Sequence, residues 1–170
     1  LQRSKVESED TVVVLGCGPI GLLAAAAAAK AGGAKQVIIT GTTRDVGTRL
    51  AAATAMGMDR TVDVQTVDAV KLIKDLTGGQ GADLVVDATG VAPAIAQGLD
   101  LLRIDGRFCG IGITGKDTVA IPWDLALKKA ANVCFSYSSN WPAWERAVSL
   151  LASGKVQVGP MLSGAQPLAE

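Results

Sequence analysis

Apolar runs and helical periods alternate along the chain. Thr11–Leu15 (TVVVL) is β-branched and stops at Gly16, the pattern of a buried strand. Pro19–Lys30 is alanine-rich and ends at Gly32-Gly33, predicting a helix with a glycine stop. Gln36–Thr40 (QVIIT) predicts a second strand, and Asp45–Met56 a helix with Val46, Leu50 and Ala53 on one side. Thr61–Val64 is a short third strand. Asp68–Thr77 repeats Ala69, Leu72, Ile73 and Leu76 at helical spacing. Asp83–Asp87 (DLVVD) is the fourth strand, Ala94–Leu102 a helix, and Arg107–Gly112 (RFCGIG) the fifth strand. A short helix over Trp123–Ala130, a sixth strand over Asn132–Ser138 and a last helix over Pro142–Ala152 complete the series. Trp144, Ala147, Val148 and Leu151 are the expected inner face of that last helix.

Strand–helix alternation of this kind predicts an α/β fold, a doubly wound six-stranded parallel sheet with helices on both faces, the Rossmann dinucleotide-binding fold. Ligands of such sheets bind at the carboxyl ends of the strands where strand order reverses, here between the first and fourth strands. No linker or internal repeat divides the chain, so residues 1–170 are expected to form a single domain.

Composition narrows the function. The 170 residues carry 16 Lys+Arg against 16 Asp+Glu and no histidine. Balanced charge argues against nucleic-acid binding. The absence of histidine removes the commonest metal ligand and the usual general base, which excludes most self-sufficient hydrolases and zinc enzymes. Cys17, Cys109 and Cys134 stand far apart with no CxxC pair, so they are expected to be reduced thiols in strands, as in a cytoplasmic protein. No apolar run reaches the ~18 residues of a membrane span, and Leu1–Asp10 is polar and charged, unlike a signal peptide. The chain opens without Met and ends at Glu170 without an obvious cap, so it reads as a domain excised from a longer protein.

Gly16-Cys17-Gly18-Pro19-Ile20-Gly21 is a GxGxxG that follows a predicted strand and opens a predicted helix. In that setting the first glycine permits the tight turn, the second lets backbone approach a pyrophosphate, and the third lets helix pack on strand. The helix start then offers free N–H groups and a positive dipole end to the phosphates. A cofactor without a 2′-phosphate is usually held by an acidic residue about 20 positions further on. Counting from Gly21, that position is Gly41, followed by Thr42, Thr43 and Arg44. Two hydroxyls and a guanidinium there suit a 2′-phosphate and favour NADP over NAD. The same residues also form a helix-capping pattern, with Thr42 as cap and Arg44 in solvent.

Val86–Gly90 and Gly110–Ile113 end the fourth and fifth strands at the same crevice, where Ile111 and Ile113 would wall a flat ring. Asp87 there is either a ligand contact or a buried carboxylate bonded to backbone. Nothing in the chain supplies catalysis: Tyr137 is followed by Ser138, Ser139, Asn140 and Trp141 rather than by a lysine at the fourth place, and no residue set holds a zinc.

In order, VVVLGCGPIGLLAAAAAA, TGGQGADLVVDATG (Thr77–Gly90), DGRFCGIG and NVCFSYSSNWPAWERAVSLLASGKV resemble the medium-chain dehydrogenase/reductase superfamily, nearest the zinc-dependent alcohol, sorbitol and threonine dehydrogenases. The resemblance implies a two-domain enzyme whose zinc-bearing catalytic domain would lie outside this chain. By the same resemblance Gly16, Gly18, Pro19, Ile20 and Gly21 would lie on the pyrophosphate and nicotinamide ribose. Thr42, Thr43 and Arg44 would flank the adenosine ribose, and Ala88 and Thr89 the adenine side. Ile111, Gly112 and Ile113 would approach the nicotinamide, and Asn132–Ser138 would be a dimer-forming edge strand. The chain departs from NAD-using members at Gly41. A zinc-free reductase of the same superfamily, and a non-catalytic nucleotide-sensing domain sharing the Gly16–Gly21 turn, are the competing readings.

Overall fold

The computed structural model describes residues 3–164. Six strands form one parallel sheet: β1 (Thr11–Leu15), β2 (Gln36–Gly41), β3 (Arg60–Asp63), β4 (Ala82–Asp87), β5 (Leu102–Gly110) and β6 (Asn132–Phe135), in the order β3-β2-β1-β4-β5-β6. The helices are α1 (Pro19–Ala27), α2 (Ala51–Ala55), α3 (Ala69–Leu76), α4 (Ala92–Leu101), α5 (Trp123–Lys128) and α6 (Trp141–Ala152). The doubly wound α/β arrangement expected from the alternation is therefore present. Its topological switch falls between β1 and β4, where Leu15 pairs with Asp87. Among the described residues no helix is long and apolar enough to cross a membrane.

The period of two along the strands divides the core. Val12, Val14, Val37, Ile39, Leu84 and Val86 point to one face, with Leu22, Ala25 and Ala26 of α1. Val13, Leu15, Ile38, Val85 and Phe108 point to the other, with Ile73 of α3 and Leu99 of α4. A central strand buried on both sides must be apolar at every position, and β1 is fully buried. At the amino end of the sheet, carboxylates meet strand-start amides: Asp83 accepts from Thr11 N at 2.8 Å and Asp59 from Val37 N at 2.8 Å. Arg107 of β5 donates to Asp10 and to the Lys5 carbonyl, binding the amino-terminal segment to the sheet.

Four boundaries differ from the sequence pattern for physical reasons. The first helix continues past Ala27 as a wider π turn, Ala28–Gly32, and the second starts as a 3-10 turn (Thr43–Asp45) and a π turn (Val46–Leu50) before α2. β5 begins at Leu102, five residues earlier than expected. A bulge with Asp105 at φ +55° separates its pairing at Leu102 from its pairing at Arg107. β6 stops at Phe135 rather than Ser138, and Ser138 takes φ +63°. The expected inner face of α6 is not buried: Trp144 and Val148 are 61% exposed. Leu150 alone of the large apolar side chains of that helix packs against the core. Val46 likewise points outward, leaving Leu50 and Ala53 to pack. Cys17 lies in the turn after β1 rather than in a strand, while Cys109 and Cys134 pair across β5 and β6. All three are free thiols.

The carboxyl end of α4 is closed by a side chain from far along the sequence. Lys129 Nζ donates to the carbonyls of Leu99 (2.9 Å), Asp100 (2.6 Å) and Leu102 (2.5 Å). These are orphan acceptors at a helix end, where a cation also meets the negative pole of the helix. Replacing Lys129 with Met keeps the stem and removes the donor. The expected loss is about 1–3 kcal/mol in urea unfolding, and an unchanged midpoint would contradict the capping role.

Candidate functional site

The site begins with the turn after β1. Gly16 adopts φ +92°, which side-chain-bearing residues rarely adopt, and its N–H points to Thr40 Oγ1 at 3.4 Å. Gly18 caps α1 in extended backbone and Pro19 fills the first helical position, where its missing N–H costs nothing. A β-carbon at residue 21 would lie 1.9 Å from the Gly16 carbonyl oxygen, so only glycine lets α1 approach β1 this closely. A β-carbon at residue 18 would meet nothing within 4 Å. The space above Gly18 is open, and the amino end of α1 points into it.

A cleft of about 790 Å³ opens over this turn. Gly16, Gly18, Thr42, Arg44, Ala88 and Thr89 of the sequence-derived set line it together. The remaining members do not. Gly21 is packed under the turn, Ile20 is 60% exposed beside it, and Thr43 faces Asp63. Ile111 lines a separate 340 Å³ cleft with Val86, Cys109 and Ser136–Asn140, and Gly112 lines a third, apolar groove. Ile113 is 73% exposed. Sequence reasoning missed Cys17, Asp45, Thr48, Arg49 and Val64 on the cleft wall. The signal for Asp45 and Arg49 was their spacing of four on one helical turn, which places both at the same rim.

Asp87 is buried and its bonds are internal. Its carboxylate accepts from Thr89 N (3.0 Å), Thr89 Oγ1 (2.6 Å) and Gly90 N (3.1 Å), and its carbonyl accepts from Ile111 N and Gly112 N at 2.9 Å. Of the two roles open to Asp87, the structure shows the buried carboxylate bonded to backbone. It holds the ends of β4 and β5 in the form that walls the crevice.

The threonines after β2 are engaged. Thr42 N and Oγ1 both donate to Asp45 Oδ2, at 2.9 and 2.7 Å, and Thr43 Oγ1 donates to Asp63 at 2.7 Å. Each hydroxyl has one hydrogen, so neither has one left for a phosphate. Arg49 pairs with Asp45 at 3.3 Å, while among the described residues no carboxylate pairs with Arg44. The Thr42 amide is the largest influence on Asp45 and holds its carboxyl below the usual value of 3.8. The Thr42 hydroxyl and Arg49 act in the same sense, against burial. Burial, then the Asp45 carboxylate, pushes the Cys17 thiol up to about 11, so it stays protonated at neutral pH. Among the described residues no group of three or more His, Cys, Asp or Glu side chains is placed to hold a metal ion.

Sheet order, switch point and glycine turn define a Rossmann-type α/β domain. The family model for zinc-binding dehydrogenases matches residues 19–153, and the chain belongs to that family. It is 37% identical to a sorbitol dehydrogenase of Halalkalibacterium halodurans over 170 residues, covering all of this chain and 49% of the relative. It is 37% identical to an erythritol/L-threitol dehydrogenase of Mycolicibacterium smegmatis over 171 residues, 46% of that relative. A zinc-binding dehydrogenase structure from Sinorhizobium meliloti 1021, bound to NADP, superposes with a TM-score of 0.82 at 28% identity. The match covers 94% of this chain and 46% of the other. The chain thus spans about half the length of the curated relatives it matches.

Two outcomes follow from the hydrogen bonds. Asp87→Ala strips the acceptor from the Thr89 and Gly90 amides, and is expected to lower stability by about 2–4 kcal/mol in chemical unfolding; a loss under the low end would mean water replaces the carboxylate. Asp45 has a lower pKa folded than unfolded. Its contribution is therefore complete above the unfolded value and disappears as pH falls through the folded one. The stability gap between the wild type and Asp45→Asn is expected to shrink on acidification below about pH 4, and a gap that stayed constant would refute it.

Proposed function

We propose that the chain is the cofactor-binding half of an NAD(P)-dependent alcohol or polyol oxidoreductase, with NADP favoured over NAD. The observation that carries this is the open space over Gly18, formed by a glycine turn at the sheet's switch point and faced by the start of α1. Membership in the zinc-binding dehydrogenase family and the NADP named with one structural relative support it. A bound nicotinamide cofactor supplies hydride acceptance or donation. The residues here would bind and orient it: backbone around Gly16–Gly18 on the pyrophosphate, Ala88 and Thr89 along the adenine side, and Ile111–Ile113 toward the nicotinamide.

NADP is favoured because Gly41 brings no carboxylate and Asp45, the one acid on the cleft wall among the described residues, is occupied by Thr42 and Arg49. With both threonine hydroxyls committed, the 2′-phosphate falls to Arg44, assisted by Arg49. The substrate and the zinc that the family name implies would be held by a catalytic domain outside these 170 residues. Among the described residues no donor set fits a metal. The edge strand β6 leaves Val133 49% and Phe135 72% exposed beside the apolar groove formed with Trp123 and Leu127 of α5. An unpaired strand edge with that facing suits a homodimer across a two-fold axis. The setting assigned to the enzyme is the cytoplasm, where the free thiols stay reduced.

Calorimetric titration of the purified chain is expected to show tighter binding of NADPH than of NADH, with Arg44→Ala erasing most of the difference. Equal affinities would refute the 2′-phosphate reading. The chain alone is expected to turn over no alcohol, and measurable oxidation would refute its assignment as a binding half. Sedimentation is expected to give a dimer that Phe135→Lys converts to monomer; a monomeric wild type would remove the edge-strand proposal.

A further inference from the structure

We infer that Cys17 is a specificity-determining residue of the cleft, an inference that rests on the dinucleotide reading above: with Gly41 it sets which side chain the end of β2 can present to an adenosine ribose. A β-carbon built at residue 41 would stand 2.6 Å from Cys17 Sγ and 3.1 Å from Leu50 Cδ2, and real β-carbons essentially never come within 3.0 Å of another heavy atom. The Leu50 methyl is the end of a flexible side chain and can yield by a few tenths of an ångström. Cys17 has less freedom. It is 3% exposed and packs in the same cluster as Leu22, Leu50 and Ala53.

The same wall also carries a charge. The Asp45 carboxylate, which accepts from Thr42 N, Thr42 Oγ1 and Arg49, lines the same cleft wall as Cys17. The Asp45 side chain is 15% exposed. Turning the thiol to another staggered position drives sulfur into packed neighbours. A carboxylate at residue 41 would meet a second obstacle, because it would enter beside the Asp45 charge.

The bare end of β2 is thus imposed by a residue of the phosphate turn, 24 positions earlier in the chain. The acid that a 2′-hydroxyl would call for cannot be added while the Cys17 sulfur stays in place. Cys17, Gly41 and Asp45 act as one unit, and they leave the guanidinium groups of Arg44 and Arg49 to set the charge at the mouth of the cleft. Cys17 is a positioning residue: its thiol is protonated and buried, and it need not touch the ligand.

Paired variants separate this from a purely local packing effect. Gly41→Ala is expected to lower the melting temperature by about 3–10 °C, and adding Cys17→Ala to recover most of that loss. In titrations with NADPH and NADH, Gly41→Asp alone is expected to weaken NADPH binding about tenfold or more without gaining NADH. Cys17→Ala/Gly41→Asp is expected to prefer NADH. Three results would overturn the inference: a Gly41→Ala protein that melts like the wild type, a Cys17→Ala change that restores nothing, or a Gly41→Asp single variant that switches preference as fully as the double. A wild-type chain that binds neither cofactor sinks the dinucleotide reading instead, and the melting arm then decides the Cys17–Gly41 coupling by itself.

Discussion

The contact between α1 and the turn beneath it governs the rest of the site. With no side chain at residue 21, the helix comes down until its third residue touches the Gly16 carbonyl oxygen. That approach aims the first-turn amides of α1 over the carboxyl end of β1. It also requires the turn to leave β1 through a positive φ, which Gly16 supplies. Two fully buried layers of aliphatic side chains hold the sheet in place behind it, so the turn is mounted on a rigid base rather than carried on a loop. A residue with a β-carbon at either glycine would move the helix, and the opening over Gly18 would no longer coincide with the switch point of the sheet.

Around that turn the polar groups divide into those that build and those that remain available. Asp87, Asp45, Thr42, Thr43 and Thr89 all spend hydrogen-bonding capacity on neighbouring side chains or nearby backbone. In a crevice that is partly closed to water, an unsatisfied carboxylate would be costly, so these bonds fix loop shape as well as satisfy charge. What is left to meet a ligand is the amide-rich start of α1 and two guanidinium groups, one of them already paired. Both kinds of group attract anions. The cleft presents cationic groups and helix amides because its one acid among the described residues, Asp45, is bound up with Thr42 and Arg49.

The fold could be read from the chain because each local signal agreed with the global one. The β-branched run of β1, the glycine turn and the Ala-rich helix leave a single arrangement, and the sheet order followed from handed crossovers. Where reading failed, the missing information was tertiary. The apolar stripe of Trp144, Val148 and Leu151 correctly marked a helix face, but periodicity cannot say whether anything covers that face. The early start of β5 was hidden by Asp105, a residue type that seldom announces a strand yet tolerates the left-handed conformation of the bulge. Thr42 and Thr43 could be read as phosphate ligands or as a helix cap. The choice between these turned partly on Asp63, which the topology alone brings beside Thr43.

The same point bears on how a cofactor preference is encoded. A rule that looks only at the residue about 20 positions past the glycine turn treats the end of β2 as free to vary. Here that residue is buried between Cys17 of the glycine turn and Leu50 of the following π turn, and both neighbours constrain it. Sequence change at residue 41 is therefore coupled to change at residue 17, and Asp45 adds a charge condition to the steric one. A short motif is informative about ligand class because its glycines are needed by geometry. Discrimination between two closely related ligands lies in side chains that pack against the motif, and those can be weighed only once the chain is folded around them.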